Sequence, residues 1–148
     1  MRSLTKLYSV PGLRLGYVLA SPSFLHEWQS WRDPWPVNAI AASLTGPLLA
    51  DKSWQQRVQD WVAREGSWLS QRLRSFRGLT PRPSAANFLL VRGIKEMESI
   101  RCQLEVRHKI LVRTAVSFDG LGDHWLRFGL SDRAGNKKLI NALAIELK

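Results

Sequence analysis

The second half of the chain alternates short apolar stretches with amphipathic ones, and this alternation limits the folds that the chain can adopt. Apolar runs of four to six residues predict strands, and apolar residues spaced by three or four predict helices. The predicted order is strand, helix, strand, strand, helix, over Ala86–Val91, Lys95–Arg107, Ile110–Arg113, Trp125–Leu130 and Arg133–Leu147. Asp132 stands where it can cap the last helix. The pattern therefore predicts a compact small α/β domain over residues 79–148.

The first 32 residues have a different pattern. Leu13–Ala20 begins with alternation and ends apolar, which predicts a buried strand. Ser21 or Ser23 can cap a short helix over Phe24–Trp31. We expect residues 1–32 to be the end of a separate, larger domain.

Connecting helices are predicted over residues 33–78. A small-residue helix is expected over Ala39–Leu49, with an interruption near Gly46-Pro47 because proline cannot donate a helical hydrogen bond. A long amphipathic helix follows, with apolar residues on one face, and Gly78 is expected to end it. Its three tryptophans, Trp54, Trp61 and Trp68, are helix-spaced and predict core or interface positions.

The composition describes a chain of ordinary domain size with a strong positive charge. Its 148 residues are 45% hydrophobic and carry a formal net charge of +10. This charge favours anionic partners such as phosphorylated ligands or nucleic acid. The basic residues are scattered, however, and Lys137-Lys138 is the only adjacent pair. We therefore expect mostly solvated charge, with a few arginines that bind anions, and we keep a small nucleic-acid-binding module as an alternative of another class.

Several classes of protein are excluded by what the sequence contains. Cys102 is the only cysteine, so no internal disulfide can form, and a reducing cytoplasm is the expected location. The longest apolar stretch, Ala39–Ala50, is too short to span a membrane. The three histidines show no metal-ligand spacing, and we predict no metal site.

Lys6 lies in the segment Ser3-Leu4-Thr5-Lys6, and Arg14 follows in Pro11-Gly12-Leu13-Arg14-Leu15-Gly16. A lysine amine can form a Schiff base with an aldehyde. A hydroxyl and a guanidinium can hold a phosphate. Together these residues favour a phosphorylated aldehyde as ligand.

These two segments resemble the cofactor-lysine motif of class I/II aminotransferase-fold enzymes, which depend on pyridoxal phosphate (PLP). Three later stretches extend the resemblance along the chain: Pro34–Asn38, Ala86–Leu90, and Ile110–Arg113 with Leu126–Phe128. Their order and spacing are most similar to the histidinol-phosphate aminotransferase branch and its threonine-phosphate decarboxylase relatives in cobalamin synthesis. The implied fold is α/β: the C-terminal part of a PLP-dependent transferase fold, with the end of the large domain and the small domain.

The resemblance assigns roles to six residues. Lys6 is implied to be the catalytic, Schiff-base lysine, and Ser3 and Arg14 to bind the cofactor phosphate. Arg127 is implied to bind the substrate carboxylate and Arg113 the distal phosphate of a phosphorylated amino acid. A planar guanidinium suits both groups because it can donate two parallel hydrogen bonds. Asn38 lies in a motif that lines the substrate site.

The rest of a PLP site has no counterpart in this sequence. The family takes a pyridinium-binding aspartate, a stacking aromatic and a glycine-rich phosphate loop from the region before its lysine, and only five residues precede Lys6. We therefore expect a fragment that is inactive alone and that needs the missing large domain or a complementary chain; at full length a homodimer is expected. The predicted parent reaction is phosphothreonine decarboxylation. The alternative within the class is transamination, of histidinol phosphate or by another class I/II aminotransferase.

Overall fold

The computed structural model describes residues 1–147, which form six strands, six helices and one 3-10 turn. The strands are β1 (Arg2–Ser3), β2 (Gly16–Tyr17), β3 (Leu79–Pro81), β4 (Phe88–Gly93), β5 (Arg113–Thr114) and β6 (Trp125–Gly129). The helices are α1 (Leu4–Leu7), α2 (Pro22–Ser30), α3 (Ala39–Ala50), α4 (Lys52–Arg74), α5 (Glu98–His108) and α6 (Arg133–Glu146), and the turn is Pro11–Leu13. The chain divides into two compact units, unit 1 over Met1–Val58 and unit 2 from Gln59 onward.

Unit 1 has a small core and a large exposed surface. Its fully buried apolar residues are Leu4, Leu15 and Ala41, with Tyr8 and Leu48 among the side chains packed against them. Every residue from 21 to 40 is exposed. A core of this size stabilises little, because burial of one large aliphatic side chain contributes about 1.5–3 kcal/mol.

Unit 2 contains a four-stranded antiparallel sheet in the order β3-β4-β6-β5. Because β6 is antiparallel to both of its neighbours, β4 and β5 run in the same direction and α5 makes the crossover between them. Successive side chains of a strand point to opposite faces of the sheet. Leu89 and Val91 of β4 and Leu126 and Phe128 of β6 are buried on one face.

The core of unit 2 lies between that face and the helices. It combines residues of three strands (β3, β4 and β6) and three helices (α4, α5 and α6) with the loop residue Met97: Leu69, Leu73, Leu79, Leu89, Val91, Met97, Leu104, Leu126, Phe128, Leu139, Ala142 and Leu143. Gly93 fits the end of β4 because a Cβ there would stand 2.9 Å from the Lys95 carbonyl oxygen. The side chains on the opposite face of the sheet are exposed or half-buried.

A buried carboxylate joins α4 to α6 in unit 2. Glu65 accepts hydrogen bonds from Arg133 Nε at 2.9 Å and Nη2 at 3.0 Å, and from Asn136 Nδ2 at 3.2 Å. Asn136 Oδ1 accepts from the Ser131 amide at 3.1 Å. These bonds hold the pKa of Glu65 below its ordinary value, chiefly through Arg133, although burial opposes the shift.

The predicted mixed α/β fold is confirmed, and the expected final helix is capped by Asp132, which accepts from the Gly135 amide at 2.7 Å. Several boundaries were wrong. The helix that starts at Ala39 continues through Pro47 to Ala50, and the long helix ends at Arg74, before Gly78. Pro47 has no N–H to donate to the Ser43 carbonyl, so α3 loses this one bond and continues for three more residues.

The strand predictions were also too long. The expected strand over Leu13–Ala20 is reduced to Gly16–Tyr17, because the preceding residues form the 3-10 turn and Arg14 adopts a left-handed conformation. Of Ile110–Arg113, only Arg113 pairs, together with Thr114. The strand β3 was not predicted, since three residues with a central threonine carry no recognisable period.

Candidate functional site

Lys6 lies on α1, a helix of four residues. Leu4 and Thr5 are buried on one side of this turn, whereas Lys6 is exposed on the other. The Leu4 amide donates to the Leu15 carbonyl at 3.1 Å and so ties the start of the helix to the segment after Arg14. Backbone contacts therefore fix the turn that carries Lys6, and the Lys6 side chain is exposed.

Side chains from α3 and α4 within unit 1 anchor the other end of α1. Trp54 Nε1 donates to the Leu7 carbonyl at 2.8 Å, and Tyr8 donates its hydroxyl to the Leu48 carbonyl. Gln55 Nε2 donates to the Tyr8 hydroxyl at 2.9 Å. Trp54, expected to be a core or interface residue, thus has a defined role in positioning the lysine-bearing turn.

Ser3 stands at the N-cap position of α1, at the end of β1, without a side-chain capping bond. Its Oγ is hydrogen-bonded to Thr5 Oγ1 at 2.8 Å, and Ser3 itself is exposed. Thr5 was not among the predicted site residues, although it lies inside the motif. Its buried hydroxyl orients that of Ser3. The contact depends on the conformation of the turn, so the sequence motif alone does not predict it.

Gly16 allows β1 and β2 to approach each other. It pairs with Ser3, and a Cβ at this position would stand 2.9 Å from the Arg2 carbonyl oxygen. Any side chain would push the two short strands apart. The glycine that ends the second motif is thus explained by the close backbone contact beside Ser3.

Arg14 follows the 3-10 turn and is exposed. Its backbone has φ 51° and ψ 48°, the left-handed region that few residues other than glycine adopt. Its Nη1 donates to the Pro11 carbonyl at 3.1 Å, and its other N–H groups face solvent. The turn presents a guanidinium that is partly fixed and still has donors for an anion.

Asn38 uses both ends of its side chain within unit 1. Oδ1 accepts from the Ala41 amide at 2.8 Å and caps α3, while Nδ2 donates to the Leu13 carbonyl at 3.3 Å. Asn38 therefore connects the start of α3 to the residue before Arg14. The geometry supports a role in positioning the Arg14 turn more directly than a contact with substrate.

A groove of about 480 Å³ in unit 1 lies between β1, β2 and α2, and its lining includes Ser3, Tyr17 and Trp28. Of the six predicted site residues, only Ser3 lines it. Arg2 and Arg32 give it some positive charge, whereas most of its wall is apolar.

Arg113 and Arg127 belong to unit 2 and face each other across its sheet. They are direct partners in the antiparallel pairing of β5 with β6, so their side chains leave the same face. Arg113 packs over the Phe118 ring and Arg127 over the Phe88 ring, with Cζ-to-centroid distances of 5.5 and 5.0 Å. Within residues 1–147, neither forms an ion pair. Opposed like charges repel, so an anion between them is favoured.

The structure thus places the six predicted residues in two groups. Ser3, Lys6, Arg14 and Asn38 lie in unit 1, where backbone and side-chain bonds connect their turns. The two arginines form a pair in unit 2. In the described part of the chain, no cluster of three or more potential ligands could hold a metal ion, and no helix is long and apolar enough to cross a bilayer.

Comparison with known proteins identifies the family. Residues 1–143 match the family model for aminotransferase class I and II, and the chain belongs to this family. It is 36% identical over 144 residues to threonine-phosphate decarboxylase of Salmonella typhimurium, covering 97% of the chain and 39% of that protein. It is 29% identical over 145 residues to a histidinol-phosphate aminotransferase of Archaeoglobus fulgidus, covering 97% and 41%.

Solved structures agree with this assignment. The crystal structure of L-threonine-O-3-phosphate decarboxylase from Porphyromonas gingivalis matches with a TM-score of 0.86 and 27% identity, over 98% of the chain and 45% of that structure. The resemblance drawn from the motifs is thereby confirmed, together with the fold class. The chain spans about two-fifths of the length of the curated relatives it matches.

The predicted cofactor is confirmed for the family, whose members depend on PLP. The residues of unit 1 fit such a group chemically: an exposed primary amine for an aldehyde, and a paired hydroxyl and a guanidinium for a phosphate. When bound, PLP supplies a conjugated ring that withdraws electrons from the α-carbon of an amino acid.

Proposed function

We propose that this chain is part of a PLP-dependent enzyme that decarboxylates a phosphorylated amino acid, O-phosphothreonine, to an aminopropanol phosphate for cobalamin synthesis. The observation that carries the proposal is the opposed pair Arg113 and Arg127, which lacks a carboxylate partner among the described residues. O-phosphothreonine has the two anionic groups that two guanidinium groups can bind. The similarity to threonine-phosphate decarboxylases supports this choice.

Each residue of unit 1 has a role in the proposal. Lys6 supplies the amine that binds the cofactor, and its Nζ delivers a proton to the substrate α-carbon after the carboxylate has left as carbon dioxide. Ser3, oriented by Thr5, and Arg14 donate hydrogen bonds to the cofactor phosphate. Asn38 holds the turn that carries Arg14.

The two arginines of unit 2 divide the substrate between them. Arg127 is half-buried and stacked on Phe88, and we assign it to the carboxylate. Arg113 is more exposed, and we assign it to the phosphate. Stacking on an aromatic ring restricts a guanidinium while its N–H edge stays available, so less freedom is lost when the anion binds.

The proposed active enzyme requires a second polypeptide segment. The chain covers 39% of the Salmonella relative, and the large exposed apolar side chains of residues 21–40, including Trp31 and Trp35, are suited to a protein partner. We propose that the remainder of the aminotransferase fold covers this surface. A homodimer of the whole enzyme and a cytoplasmic location remain part of the same proposal.

The test is reconstitution. The chain is mixed with the part of the Salmonella decarboxylase that lies outside the matched 144 residues, and release of labelled carbon dioxide from carboxyl-labelled O-phosphothreonine is measured with PLP present. Release is expected from the mixture and not from either polypeptide alone. K6A should abolish it, whereas K52A, which removes another exposed lysine of unit 1, should leave it unchanged.

Other outcomes would change the assignment. If the mixture converts histidinol phosphate with 2-oxoglutarate and releases no carbon dioxide, the aminotransferase alternative replaces the decarboxylase. If R127Q and R113Q leave the KM for O-phosphothreonine unchanged, the opposed pair does not bind the substrate and the proposal is wrong.

A further inference from the structure

The solvent face of the sheet in unit 2 carries four arginines, two more than the proposed substrate site uses. Arg92 lies on β4 and pairs with Thr80 on one side and Trp125 on the other. Arg82 follows β3, and its amide donates to the Leu90 carbonyl at 2.8 Å, which continues the pairing by one residue. By strand alternation, Arg82 and Arg92 leave the same face as Arg113 and Arg127.

The four arginines of this face form no ion pair within residues 1–147. In the described part of unit 2, the arginines that form ion pairs all lie on helices: Arg64, Arg101, Arg107 and Arg133. The strands that form the face contain no aspartate or glutamate. The positive charge of the helices is thus largely compensated at these positions, whereas the charge of the sheet face is not.

Arg82 and Arg92 occupy neighbouring positions of the sheet near Trp125. They occupy diagonal positions on neighbouring strands, a separation that long side chains can bridge. The Arg82 guanidinium packs over the Trp125 ring, with Cζ 5.5 Å from the centroid. Arg92 lies directly opposite Trp125, and the exposed Thr80 lies opposite Arg92 on its other side. One guanidinium therefore lies over the ring, and a second arginine and a threonine occupy neighbouring register positions on the same face.

We propose that Thr80, Arg82 and Arg92 form a second anion site, which binds the phosphate group of a small phosphate monoester. A phosphate has three acceptor oxygens, and it can take a bidentate bond from one guanidinium and further bonds from a second guanidinium and a hydroxyl. Single-stranded nucleic acid is disfavoured because base stacking needs open aromatic faces. Here guanidinium groups lie over both Trp125 and Phe88. The site needs unit 2 alone and does not depend on the proposed activity.

The experiment is a titration of the ¹⁵N-labelled 148-residue chain with inorganic phosphate at constant ionic strength, followed by NMR of the Trp125 indole N–H. A saturable shift with a Kd of about 1 mM is expected. R82Q/R92Q should weaken this binding by about tenfold or more. R113Q/R127Q and the helical control R72Q/R74Q should leave it within about twofold of the wild type.

Two further arms keep the result interpretable. R82K/R92K retains the charge and loses the bidentate geometry, so it should bind several-fold more weakly than the wild type even if the glutamine variant fails to fold. O-phosphothreonine in place of inorganic phosphate should give the same shift at Trp125. A shift that does not saturate, or that survives R82Q/R92Q unchanged, overturns the site.

Nucleic acid gives a distinct outcome. The affinity for a single-stranded oligonucleotide is measured across salt concentrations for the wild type and for R82Q/R92Q and R113Q/R127Q. If the oligonucleotide binds and the salt dependence of its affinity becomes weaker in either variant, the whole face is a nucleic-acid surface and the phosphate-ester proposal is wrong. Failure of the second site would leave the decarboxylase proposal intact, because that proposal is tested by R113Q and R127Q in the reconstituted enzyme.

Discussion

At the scale of single residues, the motif around Lys6 predicts which groups bear the chemistry, and the structure adds the contacts that hold them. Ser3, Lys6 and Arg14 were recognisable because their residue types and spacing are specific. The contribution of Thr5 was not recognisable, since a buried threonine has many ordinary uses. Asn38 is predicted to line the substrate site, and the structure shows that its side chain bonds two backbone groups of unit 1.

Removal of the Asn38 side chain tests this role. N38A loses both the cap of α3 and the bond to the Leu13 carbonyl, and we expect unit 1 to be destabilised by about 1–2 kcal/mol in urea unfolding. The matched control is S21A, because Ser21 caps α2 through a longer bond of 3.5 Å in an exposed position. N38D, which keeps an acceptor for Ala41, should recover most of the loss. Equal effects of N38A and S21A would contradict the connecting role.

At the scale of elements, helices were predicted better than strands. Caps and apolar faces are local signals, so Asp132 and the apolar stripe of α4 could be read directly. The strands of unit 2 are short, and their limits depend on which partner residue they meet. Thr114 belongs to β5 because it pairs with Leu126 of β6. A pairing between two strands cannot be read from the local sequence pattern of either one.

The carboxylate that joins α4 to α6 predicts a specific pH dependence. Glu65 has a folded pKa below its ordinary value of 4.5, so the unfolded chain takes up the proton first as the pH falls. Its contribution to stability is complete above about pH 4.5 and is lost as the pH falls through the folded pKa. Glu146, bonded to His108 and Arg107, has its pKa shifted in the same direction.

E65Q should therefore have a lower urea midpoint than the wild type near neutral pH, and its midpoint should fall less on acidification. E96Q, which changes an exposed glutamate without an ion pair in the described chain, should follow the wild type. The measurement is the urea midpoint by far-UV circular dichroism across acidic to neutral pH. If the urea midpoint of E65Q falls as steeply on acidification as that of the wild type, the hydrogen bonds of Glu65 between α4 and α6 are not the cause of the pH dependence.

At the scale of the whole molecule, the two units differ in how much they bury. Unit 2 has a continuous core, and unit 1 has three buried apolar residues and a stretch of twenty exposed ones. Local stability follows buried contact, so regions with few contacts open with a low free energy.

Hydrogen exchange should show this difference. Amides of residues 21–40 are expected to exchange orders of magnitude faster than those of β4 and β6, as measured by mass spectrometry of the intact chain in native buffer. The same peptides in denaturant provide the unprotected reference. Adding the complementary decarboxylase polypeptide should slow exchange in residues 21–40. Strong protection of this stretch in the chain alone would mean that another surface already covers it.

By itself, the sequence determined the family, the order of the main elements and the identity of the lysine, serine and arginine side chains that carry charge or donate hydrogen bonds. These properties depend on residue type and short spacing, which folding does not alter. The tertiary structure decided that Arg113 stands opposite Arg127, that Asn38 is bonded to Leu13, and that Arg82 and Arg92 share one face of a sheet whose strands contain no acidic residue. These contacts join residues that are separated in the chain. For the arginines, the strand register that brings them to one face follows from burial of the shared core.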